Sequence, residues 1–244
     1  MIEDVRFDGE FEVTDALKNQ YDRDGFLIVR NLLDKEEIAQ LWKIFEEPDG
    51  IMKHSYETSE PDDKKILRVM YRHPGNDVSG IISRSEKIVN ACEKLLDGEV
   101  YHYHGKFIMK NPREGGQHLL KGSHKCGRIN HVPGDATLQT GADLERVEAL
   151  KPKCDVLFQH CNLLHTSEPN NSDMRRWAFV ACYNKASNDS FLPHHHANYV
   201  PIEKVTNSAI KDCRNYTDFS GKDFTDPIKK EEDRMHFPPT EVKG

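Results

Sequence analysis

Residues 154–184 read CDVLFQHCNLLHTSEPNNSDMRRWAFVACYN and carry clear strand signals. Apolar runs at 156–158, 162–165 and 176–183 flank the polar segment SEPNNSD. Asn tolerates left-handed backbone and its side chain can cap its own turn, so Asn170 and Asn171 predict a turn between two strands. In such an antiparallel pair, His165 and Arg176 are equidistant from the turn and lie opposite each other. Because an imidazole can bind a metal and a guanidinium can hold a carboxylate, this pair predicts a site for both.

Short motifs that accompany this stretch extend over most of residues 15–200. They are His165-Thr166-Ser167, Asn170, Ser172, Arg176, Gly122-Ser123-His124, Tyr183-Asn184 and Asp24-Gly25-Phe26. Together they resemble the phytanoyl-CoA dioxygenase family of Fe(II)/2-oxoglutarate oxygenases. The resemblance implies that His165 is an iron ligand, that Arg176 binds the distal carboxylate of 2-oxoglutarate and that Ser167 supports this arginine. The other interpretation of His165 is a hydrogen-bonded histidine of the core. The implied cofactors are Fe(II) and 2-oxoglutarate, with ascorbate as a third to consider.

The iron site implied by this resemblance is incomplete in the sequence. A non-haem iron oxygenase needs two histidines and one carboxylate, which leave open positions for 2-oxoglutarate and oxygen. The family supplies the first histidine and the carboxylate as His-x-Asp, yet none of the 13 histidines is followed two residues later by Asp or Glu. In relatives that motif lies in a segment of which only Gln117-His118-Leu119 remains here. We therefore predict that several strands are missing between Gly116 and Leu120, and that the strand before this gap lacks neighbours.

Two alternatives follow from the gap. The chain is either a catalytically inactive variant that retains the scaffold, because one histidine cannot replace three ligands, or it uses His118 as the first histidine. In the second case a halide or water replaces the carboxylate, as in halogenating relatives, and Leu120 stands at the carboxylate position. A shortened chain of either kind is expected to hold the cofactors weakly or not at all.

Composition limits the class of protein. The 244 residues suit one domain, with 36% hydrophobic and 31% charged residues. A formal net charge of −7 argues against nucleic acid as a partner. The sequence has no signal peptide and no apolar stretch of membrane-spanning length, so we expect a cytoplasmic protein with a small-molecule substrate and an undetermined oligomeric state. We assign residues 1–204 to one oxygenase domain and 205–244 to a polar tail that is weakly packed or disordered.

Local signals predict the remaining elements. Asp34 and Glu37 form a capping-box pattern that opens a helix with an apolar stripe. The stripe residues are Ile38, Leu41, Trp42 and Phe45. The other predicted elements are a helix over 14–21, strands over 26–29 and 66–71, a loop over 46–61, and one amphipathic helix over 81–96.

The segment 100–110 alternates as a strand does. One predicted face holds Tyr101, Tyr103, Phe107 and Met109, and the other holds His102, His104 and Lys106. A basic row on a strand either lines a pocket or faces solvent, and Lys106 is the candidate for a contact to 2-oxoglutarate. The triplet His194-His195-His196 is expected in a surface loop, because adjacent strand residues alternate faces and cannot all bind one ion.

The resemblance implies a mainly β fold with flanking α-helices, a double-stranded β-helix (jelly roll, cupin-like) that lacks several strands. The family reaction would be hydroxylation of a small organic acid, amino acid or acyl conjugate. The sequence leaves open whether this chain performs it or is an inactive variant.

Overall fold

The computed structural model describes residues 5–6, 11–59, 65–110, 116–126, 146–148, 155–168, 173, 175–190 and 196–224. It describes the backbone alone at residues 5–6, 59, 65, 116–120, 126, 146–148, 166–168 and 176. Over these ranges the chain is mainly β-structure with helices on its flanks, as the sequence predicted. No helix in the described ranges is long and apolar enough to cross a membrane.

The first half of the chain alternates short helices and strands. Its elements are β1 (Val5–Arg6), α1 (Asp15–Asp24), β2 (Phe26–Arg30), α2 (Lys35–Glu46), β3 (Tyr56–Ser59), β4 (Lys65–Arg72), α3 (Val78–Arg84) and α4 (Glu86–Leu96). Helix α1 starts at Thr14, whose side chain accepts a hydrogen bond from the amide of Leu17. Helix α2 has the predicted capping box, in which Asp34 and Glu37 each accept a hydrogen bond from the other's backbone amide.

The second half supplies most of the strands. Its elements are β5 (Val100–Lys110), β6 (Gly116–Leu120), β7 (Arg146–Glu148), β8 (Val156–Gln159), β9 (His165–Glu168), β10 (Arg176–Lys185), α5 (Ala209–Asp212) and β11 (Asp223–Phe224). Three sheets result, with strand orders β1-β2-β8, β10-β5-β4-β11 and β7-β6-β9, and β3 also pairs with β4. The described strands do not close a barrel, in agreement with a jelly roll that lacks strands.

The apolar stripe of α2 packs on the β10-β5-β4-β11 sheet, as predicted. Trp42 and Phe45 lie 5.3 and 4.9 Å from the ring of Trp177 on β10, measured between ring centroids. Phe45 also meets Phe107 on β5 edge-on at 5.2 Å. Phe107 and Val69 are fully or almost fully buried in this cluster. We call it the helix-side core, because helices α2, α3 and α5 cover this face of the sheet.

The predicted hairpin around Asn170 and Asn171 is wrong. Strand β9 pairs with β6, where His165 opposes Leu119, whereas β10 pairs with β5, where Arg176 opposes Lys110. The segment between β9 and β10 therefore joins two different sheets. Turn residues mark a change of chain direction, but a connection of this length can also reach a facing sheet about 10 Å away, and the local pattern does not separate the two cases.

The expectation that the strand before the gap lacks neighbours is also wrong. Strand β5 pairs with β10 on one side and with β4 on the other, so it lies inside its sheet. Strand β10 lies at one edge of this sheet, with β5 as its one neighbour among the described strands.

Three predicted boundaries also change. The predicted helix over 81–96 is two helices, because Ser85 is extended (φ −64°, ψ 141°) and bridges to Val205. The predicted loop over 46–61 contains a 3-10 turn at 51–54 and strand β3. The predicted tail begins too early, because Ile210 is fully buried and Phe219 packs in the helix-side core. Residues 225–244 lie outside the described part.

Candidate active site

The two faces of β5 do not follow the predicted alternation, because the strand contains a bulge. Cys182 of β10 opposes His104, and the next residue, Tyr183, opposes His102, so the pairing skips Tyr103. An extra residue in one strand reverses the side-chain alternation beyond it. His102 therefore shares the helix side with Phe107, while His104 and Lys106 remain on the opposite face. The ring contacts agree, since His102 stacks on Tyr71 at 6.1 Å and 9°.

Lys106 lies on the face of the sheet turned away from the helix-side core. It is half-buried and opposes Val180 on β10 and Met70 on β4. Burial raises the pKa of the nearby Cys182 thiol, and the positive charge of Lys106 partly opposes that rise. Lys106 thus lies on the face opposite the helices, and its contact to 2-oxoglutarate stays a prediction.

His165 begins β9, and its hydrogen bonds suit a metal ligand. Its Nδ1 lies 2.9 Å from the carbonyl oxygen of Leu163, which can only accept, so Nδ1 carries the proton. The Nε2 of Gln159 lies 3.1 Å from the same nitrogen, so this tautomer requires the Gln159 amide to be turned, with its oxygen in that position. A proton on Nδ1 leaves Nε2 with a free lone pair, the arrangement seen in most metal-binding histidines. The ring is exposed.

The motifs that flank His165 in the resemblance converge on the turn before it. The amide of Leu164 donates to the Ser123 hydroxyl at 2.8 Å. The backbone of Gly25 (φ +85°) passes so close that a Cβ there would come within 2.7 Å of Leu163 and 2.9 Å of His124. The amide of His160 donates to the carbonyl of Gly25 at 2.9 Å. Glycine is required here for both its conformation and its size.

The other predicted ligand-binding residues lie in different sheets. Ser167 opposes Gln117 in the β6–β9 pair, and Arg176 opposes Lys110 in the β5–β10 pair. Their side chains lie outside the described part, so their contacts remain predictions. The predicted direct opposition of His165 and Arg176 is wrong for the reason given above, namely that β9 and β10 do not pair.

The described residues do not form a three-ligand iron site. No group of three or more His, Cys, Asp or Glu residues in the described ranges could hold a metal ion, and the whole sequence lacks His-x-Asp. In the β6–β9 pair His165 opposes Leu119 and His118 opposes Thr166, and the alternative that His118 is the first histidine stays a prediction. His194 and His195 lie outside the described residues, and His196 stacks on His104 at 4.7 Å.

Sequence reasoning missed two features of this region. The bulge in β5 has no local signature beyond Gly105, where a Cβ would strike the ring of Tyr71. The sequence shows Ser123 only as part of a motif. It does not show that the Ser123 hydroxyl accepts a hydrogen bond from the amide of Leu164, which lies 41 residues further along the chain.

The chain is similar to known proteins across most of its length, although no protein-family model matches it. Ectoine dioxygenase of Bordetella parapertussis is 24% identical over 270 positions, which cover 84% of this chain and 88% of the relative, and the Bordetella bronchiseptica protein gives the same values. The crystal structure of EctD from S. alaskensis with 2-oxoglutarate and 5-hydroxyectoine superposes with a TM-score of 0.65 at 16% identity, covering 84% of this chain and 92% of that one.

A second structure of the same fold is the epimerase SnoN in complex with Fe³⁺, α-ketoglutarate and nogalamycin RO. The superposition has a TM-score of 0.59 at 16% identity and covers 70% of this chain and 83% of the SnoN chain. These likenesses establish the fold, and the sequence similarity to ectoine dioxygenase agrees with the motifs that converge on His165. The chain thus has the fold of the 2-oxoglutarate oxygenases, and its resemblance to the phytanoyl-CoA dioxygenase-like Fe(II)/2-oxoglutarate oxygenases is confirmed.

Proposed function

We propose that this protein belongs to the Fe(II)/2-oxoglutarate-dependent oxygenases. The proposed reaction of the family is hydroxylation of a small organic acid, amino acid or acyl conjugate. The observation that carries the proposal is the alignment with ectoine dioxygenase over most of both chains. Two structures of the same fold hold iron, or 2-oxoglutarate with a small hydroxylated molecule, which supports the same cofactors here. Ascorbate and a cytoplasmic location remain predictions.

We further propose that the chain carries only part of the iron site. The 270 aligned positions exceed the 244 residues of the chain, although only 84% of the chain takes part. Residues of the relative therefore stand opposite gaps in this chain. A gap near Gln117-His118-Leu119 would explain both the absence of His-x-Asp and the open edge of β10.

The second candidate function is a scaffold without turnover, and its basis is the sequence alone, which lacks His-x-Asp. Removing two protein ligands from three leaves the metal dependent on His165 alone, and metal affinity depends on ligand number and geometry. On this interpretation the shortened chain would retain a pocket for a carboxylate but would not decarboxylate 2-oxoglutarate.

Succinate formation separates the two candidates. We would compare the 244-residue chain with a version in which the residues of ectoine dioxygenase that align opposite the gap are inserted between Gly116 and Leu120. With Fe(II) and 2-oxoglutarate but no second substrate, we expect slow succinate release from the inserted version and none from the 244-residue chain. Release by the 244-residue chain would refute the incomplete site. Absence of release from an inserted version that melts cooperatively would refute the oxygenase assignment.

Arg176 and Ser167 are proposed to form the carboxylate anchor, with Lys106 as an additional contact. Arginine suits this role because its planar guanidinium can donate two parallel hydrogen bonds to a carboxylate. Arg176 lies at the start of β10, in the same sheet as Lys106. The two cationic residues would thus approach the cosubstrate from one sheet.

Replacement of Arg176 tests the anchor. Arg176→Ala should weaken 2-oxoglutarate binding by about tenfold or more, the effect of losing a charge-assisted hydrogen bond, and Arg176→Lys should lie between. Arg175→Ala is the matched control, because Arg175 is exposed and stacks over the Trp177 ring at 5.4 Å. Equal affinities of the Arg176→Ala and Arg175→Ala variants in equilibrium dialysis would show that the anchor is wrongly assigned.

A further inference from the structure

The chain after residue 200 forms an extended strap across the helical face of the molecule. We call residues 201–224 the strap; they contain the four-residue helix α5 and the two-residue strand β11. The strap contacts helices α4, α2 and α3 in turn and ends on strand β4. These contacts are the Lys204–Glu93 ion pair at 2.6 Å, the Lys211–Asp34 ion pair at 2.6 Å, the hydrogen bond from the amide of Val78 to the carbonyl of Asn215 at 3.1 Å, and the pairing of Asp223 with Arg72. One irregular segment thus ties three helices to the sheet.

Most of the strap lies at the surface and is held there by weak contacts. Both ion pairs named above join side chains that are at least 28% exposed, and exposed ion pairs add little stability. Ile210 and Phe219 are the strap residues buried in the helix-side core. A segment with few buried apolar residues opens at a lower free energy than the core that it covers. The attachment of the strap therefore depends on a small number of buried groups.

The end of the strap carries the most buried of these groups, a lysine paired with an aspartate. The side chains of Lys222 and Asp77 are both fully buried. The ammonium of Lys222 donates to the Asp77 carboxylate and to the carbonyl of Pro74, and it lies 4.4 Å from the centre of the Tyr71 ring. The other carboxylate oxygen of Asp77 accepts from the amide of Ser79 at 3.0 Å and from its hydroxyl at 2.6 Å. One buried carboxylate thus caps helix α3 and holds the strap.

Two glycines form the passage through which Lys222 reaches this carboxylate. Gly75 and Gly221 both have left-handed backbone, with φ of +70° and +81°. A Cβ on Gly75 would lie 2.9 Å from Cγ of Lys222, and a Cβ on Gly221 would lie 3.4 Å from Cα of Gly75. Glycine supplies both the backbone conformation and the room for the lysine stem. The two segments are therefore shaped to each other around this side chain.

A buried ion pair makes the attachment of the strap an all-or-none event. Such a pair adds little net stability over an apolar pair of the same size, because both charges lose their hydration. Separation of the two groups inside the protein is costly, since each would remain buried without its counter-charge. Lys222 and Asp77 therefore separate only when both are hydrated, which requires the strap to leave its site.

We infer that the strap is a conformational device of the fold, which detaches from the helices as one unit when the Lys222–Asp77 pair opens, before the sheet unfolds. Detachment removes Ile210 and Phe219 from the helix-side core and uncovers helices α2 and α3. It also breaks the hydrogen bonds that join Val205 to Arg84 and Glu86, between α3 and α4. The sheet formed by β4, β5 and β10 keeps its own pairing in the detached state.

Hydrogen exchange followed by NMR on the 244-residue chain tests the inference. The amides of Val78, Glu86 and Val205 report on the strap, because each lies in a hydrogen bond between the strap and the helices. In the unaltered chain these three amides should exchange with similar opening free energies, and faster than the amides of β5. Lys222→Met keeps the length of the side chain but leaves Asp77 unpaired. It should speed exchange at all three reporters by about tenfold or more and leave β5 unchanged.

Two further variants separate the charge pair from other effects of substitution. Asp77→Asn retains a capping residue for α3 and should also speed exchange, because it leaves the charge of Lys222 unpaired. The double variant Asp77→Asn with Lys222→Met has no unpaired charge and should recover at least half of the lost protection, expressed as free energy. The matched control is Lys211→Met, the same substitution at an exposed ion pair of the strap, which should change exchange by less than about twofold.

Three outcomes would overturn the inference. The first is exchange in Lys222→Met that is no faster than in Lys211→Met. The second is faster exchange at Val78 alone, with Glu86 and Val205 unchanged, which would mean a local defect and no release of the strap as a unit. The third is equal acceleration in β5, which would mean that the strap and the sheet unfold together. If Lys222→Met does not melt cooperatively, the double variant decides, since it should fold, and its failure to fold would also overturn the inference.

Discussion

The helix-side core and the β6–β9 strand pair differ in how completely they are built. In the core, Phe107, Val69 and Tyr71 are buried beneath three helices. In the strand pair, His165 is exposed, and only the short strand β7 extends the sheet in the described ranges. The helix-covered side of the fold is thus well packed, whereas the strand pair that carries the proposed iron ligand His165 is more exposed.

This contrast reflects how each region is specified. The core depends on periodic apolar residues and caps, each of which acts over a few neighbours. An iron site depends on side chains from several strands, so the segment loss proposed above would remove most of it and leave the core intact.

The largest expected effect is a difference between the two regions in the stability lost on substitution. Phe107→Ala should lower the free energy of unfolding by about 3–5 kcal/mol, because it removes a fully buried ring that stacks on Phe179. His165→Ala should change it by less than about 0.5 kcal/mol, as for other exposed side chains. Urea unfolding followed by tryptophan fluorescence measures both, since Trp42 and Trp177 lie in the core. Similar losses for the two variants would show that the strand pair is as tightly built as the core.

A smaller loss of stability is expected from the N-cap of helix α2. Asp34→Ala should cost about 1 kcal/mol at neutral pH, the usual value of an N-cap. Burial acts to raise the pKa of Asp34, but hydrogen bonds from Lys211 and from the amides of Glu36 and Glu37 outweigh it, so this pKa is lowered. The stabilisation is therefore present above the unfolded pKa of about 4 and is lost as the pH falls through the folded pKa.

The corresponding measurement is urea unfolding of the Asp34→Ala variant and the unaltered chain between about pH 7 and pH 2, a range that brackets the carboxyl titration. The difference should shrink towards the acidic end. Asp34→Asn is the control, since Asn also caps helices but does not titrate in this range. A difference that stays constant with pH would show that the charge of Asp34 contributes nothing.

Much of the scaffold was predictable from the sequence. The capping box at Asp34 and Glu37, the stripe that includes Trp42 and Phe45, and strand β4 all follow from short-range patterns that the structure confirms. The tail boundary was wrong because the sequence around Ile210 is polar overall, and one buried isoleucine in a four-residue helix leaves no periodic signal.

Strand partners and faces were less predictable. The sequence around Asn170 predicts a turn but not which strands the turn joins, and β9 and β10 proved to lie in different sheets. Likewise, alternation over β5 predicted the wrong face for His102, because a bulge depends on pairing with Cys182 and Tyr183 about 80 residues away.

The central claim is that this chain has an oxygenase scaffold but only one of three protein ligands for iron. Anaerobic calorimetric titration of the 244-residue chain with Mn(II) in place of Fe(II), in the presence of 2-oxoglutarate, tests it most directly. The account predicts weak, non-stoichiometric heats that do not change in the His165→Ala variant, since one histidine cannot hold the ion. Tight one-to-one binding that disappears in His165→Ala would contradict it and would show that the chain supplies ligands we have not recognised.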